Sequence, residues 1–288
     1  MKVFVTIFLL LALVLSLSLT LDESAIKLHE EALNRAMVTF GLAKGLNAII
    51  SLIQGTELSF APVGIGLTFS LGEVLDPFND MVERFSWVML FSSVSLGIQK
   101  LLLMLSSKIF IQAALVVSTL FSIIFIFTTK LQNSNLFNIS MKILMFLLLL
   151  RFAAIFFVYS SEYFYNSVLI SEYKSATVII KNTKNKLEAI QKQNTKIVKS
   201  KKESGFFSGV SSQYSELIES LNISKQLESL KVNIEDASKN IINLITIFIV
   251  QSVVMPFLFL WLFIMSFKWI FRTNLYDLLM LDKTKKSV

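Results

Sequence analysis

ISMKILMFLLLLRFAAIFFVYS, residues 139–160, decides the class of fold. The stretch contains only two charged side chains, Lys142 and Arg151. A helix of this length rises about 1.5 Å per residue and therefore crosses the roughly 30 Å hydrocarbon core of a bilayer. Further apolar runs of the same kind lie at 86–106, 109–129 and 241–271. The sequence predicts an all-α membrane protein with several transmembrane helices.

Composition supports this class. The 288 residues are 54% hydrophobic with a mean hydropathy of +0.67, and 16% are charged, whereas soluble domains carry about 25% charged residues. The chain has no cysteine, which excludes disulfides, thiolate metal sites and thiol nucleophiles. The net charge of +7 indicates orientation in the membrane and contact with anionic lipid head groups. Nucleic-acid binding is not expected, because the lysines form no basic fold motif.

The opening segment, residues 1–21, has the features of a secretory signal. It has a lysine at Lys2, an apolar run from Val3 to Leu15 and small residues before Asp22. The small residues are serine and threonine where alanine is preferred at a cleavage site, so an uncleaved signal anchor fits almost as well. Both interpretations place Asp22 outside the cytoplasm.

Residues 22–85 are predicted to form an extracytoplasmic region. An amphipathic helix covers 24–54, and the charges in its first two-thirds indicate that it does not span but lies on the membrane or packs against other segments. Near residues 56–72, apolar residues alternate with small ones, which is typical of a strand and predicts a small β-hairpin. Asp76 and Pro77 then predict the start of a helix, as N-cap and first helical residue.

Residues 161–240 form a polar region between the membrane helices of 86–160 and the last one, 241–271. Apolar residues recur there at alternating intervals of three and four, which is the spacing of a coiled coil. The first seam comprises Leu169, Tyr173, Ala176, Ile180, Thr183, Leu187, Ile190, Asn194 and Ile197. The second comprises Leu227, Leu230, Ile234, Ala237, Ile241 and Leu244. With a glycine-containing loop between them, the seams predict a projecting antiparallel coiled-coil hairpin; two separate surface helices under a larger partner are the alternative.

The predicted tip of this hairpin carries Phe206 and Phe207 beside Lys199, Lys201 and Lys202. Exposed apolar tips tend to mark contact sites, and the lysines favour an acidic partner or anionic lipid. We therefore expect a protein partner to bind through the hairpin. Alternatively, the two phenylalanines fold back and cap the end of the coiled coil.

The basic tail, residues 272–288, favours a cytoplasmic C-terminus in a bacterial inner membrane. Because the opening segment also starts in the cytoplasm, one of the four later apolar runs should not span. The preferred topology leaves out 86–106, which holds Gln99 and Lys100, and places the hairpin outside. The rival topology keeps all four spans and places the hairpin in the cytoplasm and the tail outside.

No catalytic, cofactor or metal site is visible in the sequence. The chain has one histidine, His29, whereas a zinc site needs three or four nitrogen, sulfur or oxygen ligands; His29 is expected on the surface. No glycine-rich phosphate loop of the nucleotide-hydrolase type occurs. Carboxylates are missing between Glu83 and Glu162, which disfavours proton- or cation-coupled transport. We predict a non-enzymatic protein without a cofactor.

Arg151 is the strongest candidate functional residue, because an ionisable side chain inside a membrane segment is a functional hypothesis by default. No acidic partner occurs in the other predicted spans. Snorkelling, bonding to backbone carbonyls and a partner protein are the alternatives. A second candidate is the acidic helix face of Asp76, Asp80 and Glu83, with Glu73 in register, which suits a cation or a basic partner. Its alternative is a solvated first helical turn.

Four short stretches carry a resemblance to known proteins: LNAIIS at Leu46–Ser51, TEL at Thr56–Leu58, LDP at Leu75–Pro77 and SWVML at Ser86–Leu90. Over 45–103, about a fifth of the chain, the sequence resembles an uncharacterised family of bacterial multi-pass inner-membrane proteins. The resemblance implies a location and no particular activity.

Two functional hypotheses follow from these patterns. The first is a non-enzymatic scaffold, embedded in the lipid bilayer, that presents the helical hairpin to a partner. The second is a channel or transporter component in which Arg151 faces a polar path. The second hypothesis predicts that Gln112, Arg151 and Gln251 converge.

Overall fold

A computed structural model gives the structure of the protein and describes residues 2–54, 71–128, 135–203 and 211–273. The regular elements in these ranges are all helical. They are α1 (Lys2–Ser16), α2 (Leu19–Gln54), α3 (Leu71–Ser106), α4 (Ile109–Phe127), α5 (Asn135–Phe164), α6 (Ile170–Glu203), α7 (Ser211–Ile249) and α8 (Met255–Arg272). Short π-helical segments join α5 to α6 and α7 to α8, at Tyr165–Leu169 and Val250–Val254.

The all-helical class with several membrane-type helices is confirmed. Among the residues that the structure describes, five segments are long and apolar enough to cross a membrane: Leu19–Gln54, Leu75–Ser106, Ile109–Phe127, Asn135–Lys192 and Lys231–Arg272. Length and composition thus define the architecture of a multi-pass membrane protein.

Two of these segments differ from the expected set of spans. Residues 24–54, expected not to span but to lie on the membrane or pack against other segments, belong to α2. Its charges are concentrated up to Arg35, and beyond it Lys44 is the one charged residue up to Gln54. Residues 86–106, left out of the preferred topology, belong to α3. Its Lys100 forms an ion pair with a glutamate of α2, which offsets the charge that argued against a span.

Residues 56–70 of the predicted β-hairpin lie outside the described residues. No strand occurs in the part of the chain that the structure describes. Leu71 and Gly72 are helical and open α3. After Gly72 the apolar residues recur with the period of a helix and no longer alternate with small residues. The apolar residues spaced three and four apart are buried: Leu75, Phe78, Val82, Phe85 and Met89.

The early start of α3 makes the predicted N-cap at Asp76 wrong. Pro77 lies inside the helix, where its missing N–H removes one backbone hydrogen bond. Asp76 instead pairs with the preceding helix, since Gln54 Nε2 donates to Asp76 Oδ1 at 2.6 Å. The carboxylate therefore links the ends of α2 and α3 and does not cap a helix.

The chain divides into two compact units. Unit 1 comprises Met1–Leu33, Val94–Asn166 and Gln251–Val288, and unit 2 comprises Asn34–Ser93 and Ser167–Val250. In unit 1, α1 packs on α4 and α5. Leu9 of α1 is buried in one cluster with Leu115 and Ile126 of α4 and with Phe137, Met141 and Leu144 of α5.

Helix α8 runs antiparallel to α5 in unit 1. The Phe259 ring lies 5.0 Å from the Phe157 ring, and the Phe267 ring lies 5.5 Å from the Phe146 ring. At the far end Lys142 Nζ donates to the Phe271 carbonyl at 2.8 Å. The start of α5 and the end of α8 therefore meet, and we call this the basic end of unit 1; it carries Lys142, Lys268 and Arg272.

In unit 2, α6 and α7 pack against each other in antiparallel directions. The Tyr173 ring lies 6.0 Å from the Phe248 ring, and further along Lys186 Nζ donates to Asn233 Oδ1 at 2.7 Å. Seam residues of both helices are buried: Ala176, Ile180, Thr183, Leu187, Ala237, Ile241 and Leu244.

The α6–α7 pair is not a free-standing arm over its whole length. Tyr173 Oη lies 3.4 Å from Thr39 Oγ1 of α2. The α2 backbone at Gly45 also approaches α6 so closely that an added Cβ would lie 3.0 Å from Lys184 Cε. The expected projection therefore does not apply to the part of α6 between Tyr173 and Lys184, which packs on α2 within unit 2.

Candidate functional site: a buried arginine at a helix break

The first apolar helix is interrupted within unit 1. α1 ends at Ser16, and α2 begins after two non-helical residues. Hydroxyl groups flank the break: Ser16 Oγ donates to the Leu13 carbonyl at 2.8 Å, and Ser18 Oγ lies 2.9 Å from Thr20 Oγ1. Serine and threonine hydroxyls offer the backbone such local alternatives to helical bonding. The break thus lies in a run of serine, leucine and threonine whose hydroxyl groups bond locally.

Arg151 of α5 binds both sides of this break. Its Nη1 donates to Asp22 Oδ1 and its Nη2 to Asp22 Oδ2, each at 2.7 Å. Nη2 also donates to the Ser16 carbonyl at 2.7 Å, and Nε donates to the same oxygen at 3.0 Å. Arg151 is fully buried and Asp22 is 6% exposed. We call Arg151, Asp22 and the Ser16 carbonyl the Arg151 clasp.

The charges of the clasp match the two helix ends. The Ser16 carbonyl belongs to the last turn of α1, where carbonyls lack helical donors and the helix dipole is negative. A cation is stabilised there. Asp22 lies in the first turn of α2, where an anion is stabilised. The guanidinium and the carboxylate also neutralise each other in a bidentate pair, so the clasp carries no net charge.

The position of Arg151 along α5 explains why its charge has to be neutralised. Lys142 and Glu162 bound the stretch that lacks other charged residues; at about 1.5 Å per residue it is roughly 30 Å long, the thickness of the hydrocarbon core. Arg151 lies close to its middle. Irregular backbone and unpaired charge are costly at that depth. The clasp pairs the charge of Arg151 with Asp22 and supplies hydrogen-bond donors to the Ser16 carbonyl at the break.

The predicted spans contain no acidic partner of Arg151, and the carboxylate that pairs with it, Asp22, follows directly after the predicted opening segment 1–21. Its partner, Asp22, is expected outside the cytoplasm because a secretory signal should end just before it. The structure buries Asp22 beside Arg151, a contact that the assignment of residues 1–21 to a signal does not predict. The sequence signal that points to this pairing is the combination of a serine- and threonine-rich interruption with an acid in the following helical turn.

A second polar group of unit 1 surrounds the π-helical segment before α8. The nitrogen of Pro256 has no N–H to donate to the carbonyl of Ser252, the residue four positions earlier. Ser95 Oγ of α3 donates to this carbonyl at 2.7 Å, and Gln99 Nε2 donates to Ser95 Oγ at 3.2 Å. Gln251 of the same segment is 3% exposed. A side chain from α3 thus supports the backbone at the point where the helical pattern is interrupted.

The predicted convergence of Gln112, Arg151 and Gln251 is not seen as hydrogen bonding. In the described ranges, Arg151 bonds only to Ser16 and Asp22. Buried side-chain oxygens without a hydrogen-bond partner include Gln99 Oε1 and Gln251 Oε1. Arg151 therefore belongs to a separate, internally satisfied group.

His29 is buried, not on the surface as expected. It is 4% exposed, and its Nε2 lies 2.9 Å from the Leu96 carbonyl. The next residue, Glu30, forms an ion pair with Lys100 at 2.6 Å. One turn of α2 therefore binds α3 through a histidine and a carboxylate, and both contacts are structural.

The remaining predicted site residues do not meet in one place. Asp76, Asp80 and Glu83 are exposed on α3, and no group of three histidine, cysteine or acidic residues that could hold a metal ion occurs among the described residues. Phe206 and Phe207 lie outside the described residues. Among the predicted site residues that the structure describes, Arg151 is therefore the one whose hydrogen-bonding groups are bound in a defined cluster, the Arg151 clasp.

Comparisons with known proteins return no match among protein-family models, curated proteins or solved structures.

Proposed function

We propose that the protein is a non-enzymatic scaffold of a bacterial inner membrane that presents the α6–α7 pair to an acidic partner protein. The observation that carries the proposal is the charge of α6, which has nine lysines against three glutamates. Lys174, Lys181 and Lys186 are exposed, whereas Ile180 between them is fully buried against the rest of unit 2. The apolar seam stabilises the pair. Lys174 and Lys181 are left for a partner, whereas Lys186 donates to Asn233 of α7.

The charge of the basic end supports a cytoplasmic C-terminus. Lys142, Lys268 and Arg272 lie there, and basic residues close to membrane helices favour the cytoplasmic side. The start of α1 lies at the same end, because Leu9 packs near Met141 while Ser16 contacts Arg151 further along α5. We therefore propose that α1 is a retained anchor that begins in the cytoplasm.

A channel or transporter component is the alternative function. It is favoured by the two amide oxygens, Gln99 Oε1 and Gln251 Oε1, which are buried without a hydrogen-bond partner in the described residues. Unpaired polar atoms in a membrane domain are costly and often line a hydrated path. Arg151 does not contribute to such a path, because its hydrogen bonds go to Asp22 and Ser16.

We expect a photoreactive amino acid at Val178, which is 56% exposed on α6, to crosslink the full-length protein to its partner in cells. Reversing two exposed charges in Lys174→Glu with Lys181→Glu should lower the yield by about tenfold, because an acidic partner would then face like charges. Crosslinked product on immunoblots is the measurement.

The matched control is Lys231→Glu with Lys239→Glu on α7, where both lysines are also exposed. It makes the same change in net charge and should leave the yield unchanged. An equal loss in both double variants, or no crosslink from Val178 at all, would contradict the scaffold proposal.

Purified protein in liposomes separates the two functions. The scaffold proposal expects no movement of ions or small solutes above that of empty liposomes. A flux that is lost on Gln251→Leu and kept on Gln191→Leu would instead establish the channel function, since Gln191 lies on α6 and outside unit 1.

A further inference from the structure

An apolar groove opens in unit 1 between α1, α5 and α8, with a volume of about 680 Å³. Ala12 and Ile270 are its most buried lining residues, at 9% and 6% exposed. Its more exposed rim includes Phe8, Leu11, Met265 and Trp269. The small side chain of Ala12 gives the groove its depth on the α1 side, and the lining offers hydrocarbon contact along three helices.

One end of this groove is basic. Met145 lines the groove and lies one helical turn from Lys142, whose ammonium is fixed at the end of α8 by its hydrogen bond to the Phe271 carbonyl. Lys268 and Arg272 flank the groove residue Trp269 and are exposed. The sequence has no carboxylate in α1, in α8 or in α5 before Glu162, so these helices supply no counter-charge.

We propose that the groove binds an acyl chain of an anionic phospholipid whose phosphate lies against Lys142, Lys268 and Arg272. A groove of apolar side chains at membrane depth suits a hydrocarbon chain, and basic pockets between membrane helices bind anionic head groups. The apolar part alone would accept the acyl chain of any lipid. The basic end favours lipids with an anionic head group. This inference concerns unit 1 and does not rest on the proposed role of α6 and α7.

Quenching of tryptophan fluorescence by brominated lipids tests the site. The chain has three tryptophans, so Trp87→Phe with Trp261→Phe leaves Trp269 at the groove as the single reporter. Trp87→Phe with Trp269→Phe leaves Trp261, which does not line the groove but is similarly exposed, 62% against 56%. Each full-length variant is reconstituted in phosphatidylcholine vesicles that contain increasing fractions of dibrominated phosphatidylglycerol or dibrominated phosphatidylcholine.

At Trp269 we expect the relative association constant for phosphatidylglycerol to exceed that for phosphatidylcholine by about fivefold or more, from the basic residues close to the phosphate. At Trp261 the ratio should be close to one. Lys268→Gln with Arg272→Gln leaves Lys142 as the one cation of the basic end and should lower the Trp269 ratio severalfold, whereas Lys27→Gln with Lys108→Gln, which removes as much charge elsewhere, should not.

Filling the groove with a larger side chain tests the site independently of its charges. Ala12→Leu should reduce the Trp269 ratio, and Ala113→Leu, on an exposed position of α4, should leave it unchanged. Equal quenching of Trp269 by both lipids would overturn the proposal. So would a preference of the same size at Trp261, or a Trp269 preference that survives both Ala12→Leu and Lys268→Gln with Arg272→Gln.

Discussion

Replacing Arg151 with leucine is expected to lower the free energy of unfolding by about 3–5 kcal/mol, because the substitution leaves the Asp22 carboxylate buried without its cation. Asp22→Leu should cost a similar amount, since the guanidinium then loses its bidentate partner. Both costs arise from an uncompensated buried charge. They do not measure the net strength of the pair, which is offset by the desolvation of both groups.

The double variant, Asp22→Leu with Arg151→Leu, should therefore be much more stable than either single variant. It removes both charges and leaves one deficit, the Ser16 carbonyl, which loses the two donors that Arg151 supplies. That deficit should cost about 1–3 kcal/mol. The residual cost distinguishes a clasp that also caps α1 from a simple ion pair.

The measurement is reversible unfolding of the purified full-length protein in mixed detergent micelles, followed by circular dichroism. Arg84→Leu is the matched control, since Arg84 is exposed on α3, and its effect should stay within about 0.5 kcal/mol. If the costs of the two single substitutions simply add in the double variant, Arg151 and Asp22 are not coupled and the clasp is not as described.

Ile180→Ala should lower the free energy of unfolding by about 2–5 kcal/mol, because Ile180 is fully buried and the substitution leaves a cavity. Val178→Ala, two residues earlier on the same helix, should change it by less than about 0.5 kcal/mol, since Val178 is 56% exposed. The two substitutions differ little in helix propensity, so the contrast reports packing.

The same unfolding measurement checks this pair. Comparable effects at both positions would mean that α6 does not pack on the face that carries the seam. An effect confined to Ile180 would support the α6–α7 pair that the scaffold proposal requires, and it would do so without knowledge of the partner.

Heptad spacing was enough to predict which face of α6 and α7 is buried. Ala176, Ile180 and Leu187 on one helix and Ala237 and Leu244 on the other are fully buried as the seams require. Periodicity reports the direction of an apolar face, but it does not report what covers that face. The contact of α2 with α6 at Gly45 therefore cannot be predicted from periodicity. The absence of a side chain at Gly45 is the one feature of the sequence that is compatible with such a close approach.

The start of α3 was mispredicted because two local rules pointed the same way. Apolar and small residues alternate up to Leu71, and Asp76 with Pro77 is a favoured helix start. Burial of Leu75 and Phe78 on one helical face competes with both rules, and a single proline near a helix start removes only one hydrogen bond. Tertiary packing outweighs local propensity at this point.

The clasp could be predicted in part. The depth of Arg151 follows from the apolar run on either side, and bonding to a backbone carbonyl is among the expected alternatives. Its acidic partner was missed because charge and hydropathy rules assign residues 1–21 to a secretory signal and place Asp22 outside. Such rules describe how a segment inserts and contain no information on what it contacts afterwards.

The mass of the intact protein, purified from the membrane fraction, tests most directly whether α1 is part of the clasp. The Ser16 carbonyl accepts two hydrogen bonds from Arg151, and Leu9 is 3% exposed in the core of unit 1. We therefore predict a mass that includes residues 2–20. A mass that begins at Leu21 or Asp22 would show that the opening segment is removed, and it would contradict the clasp as the element that joins α1, α2 and α5.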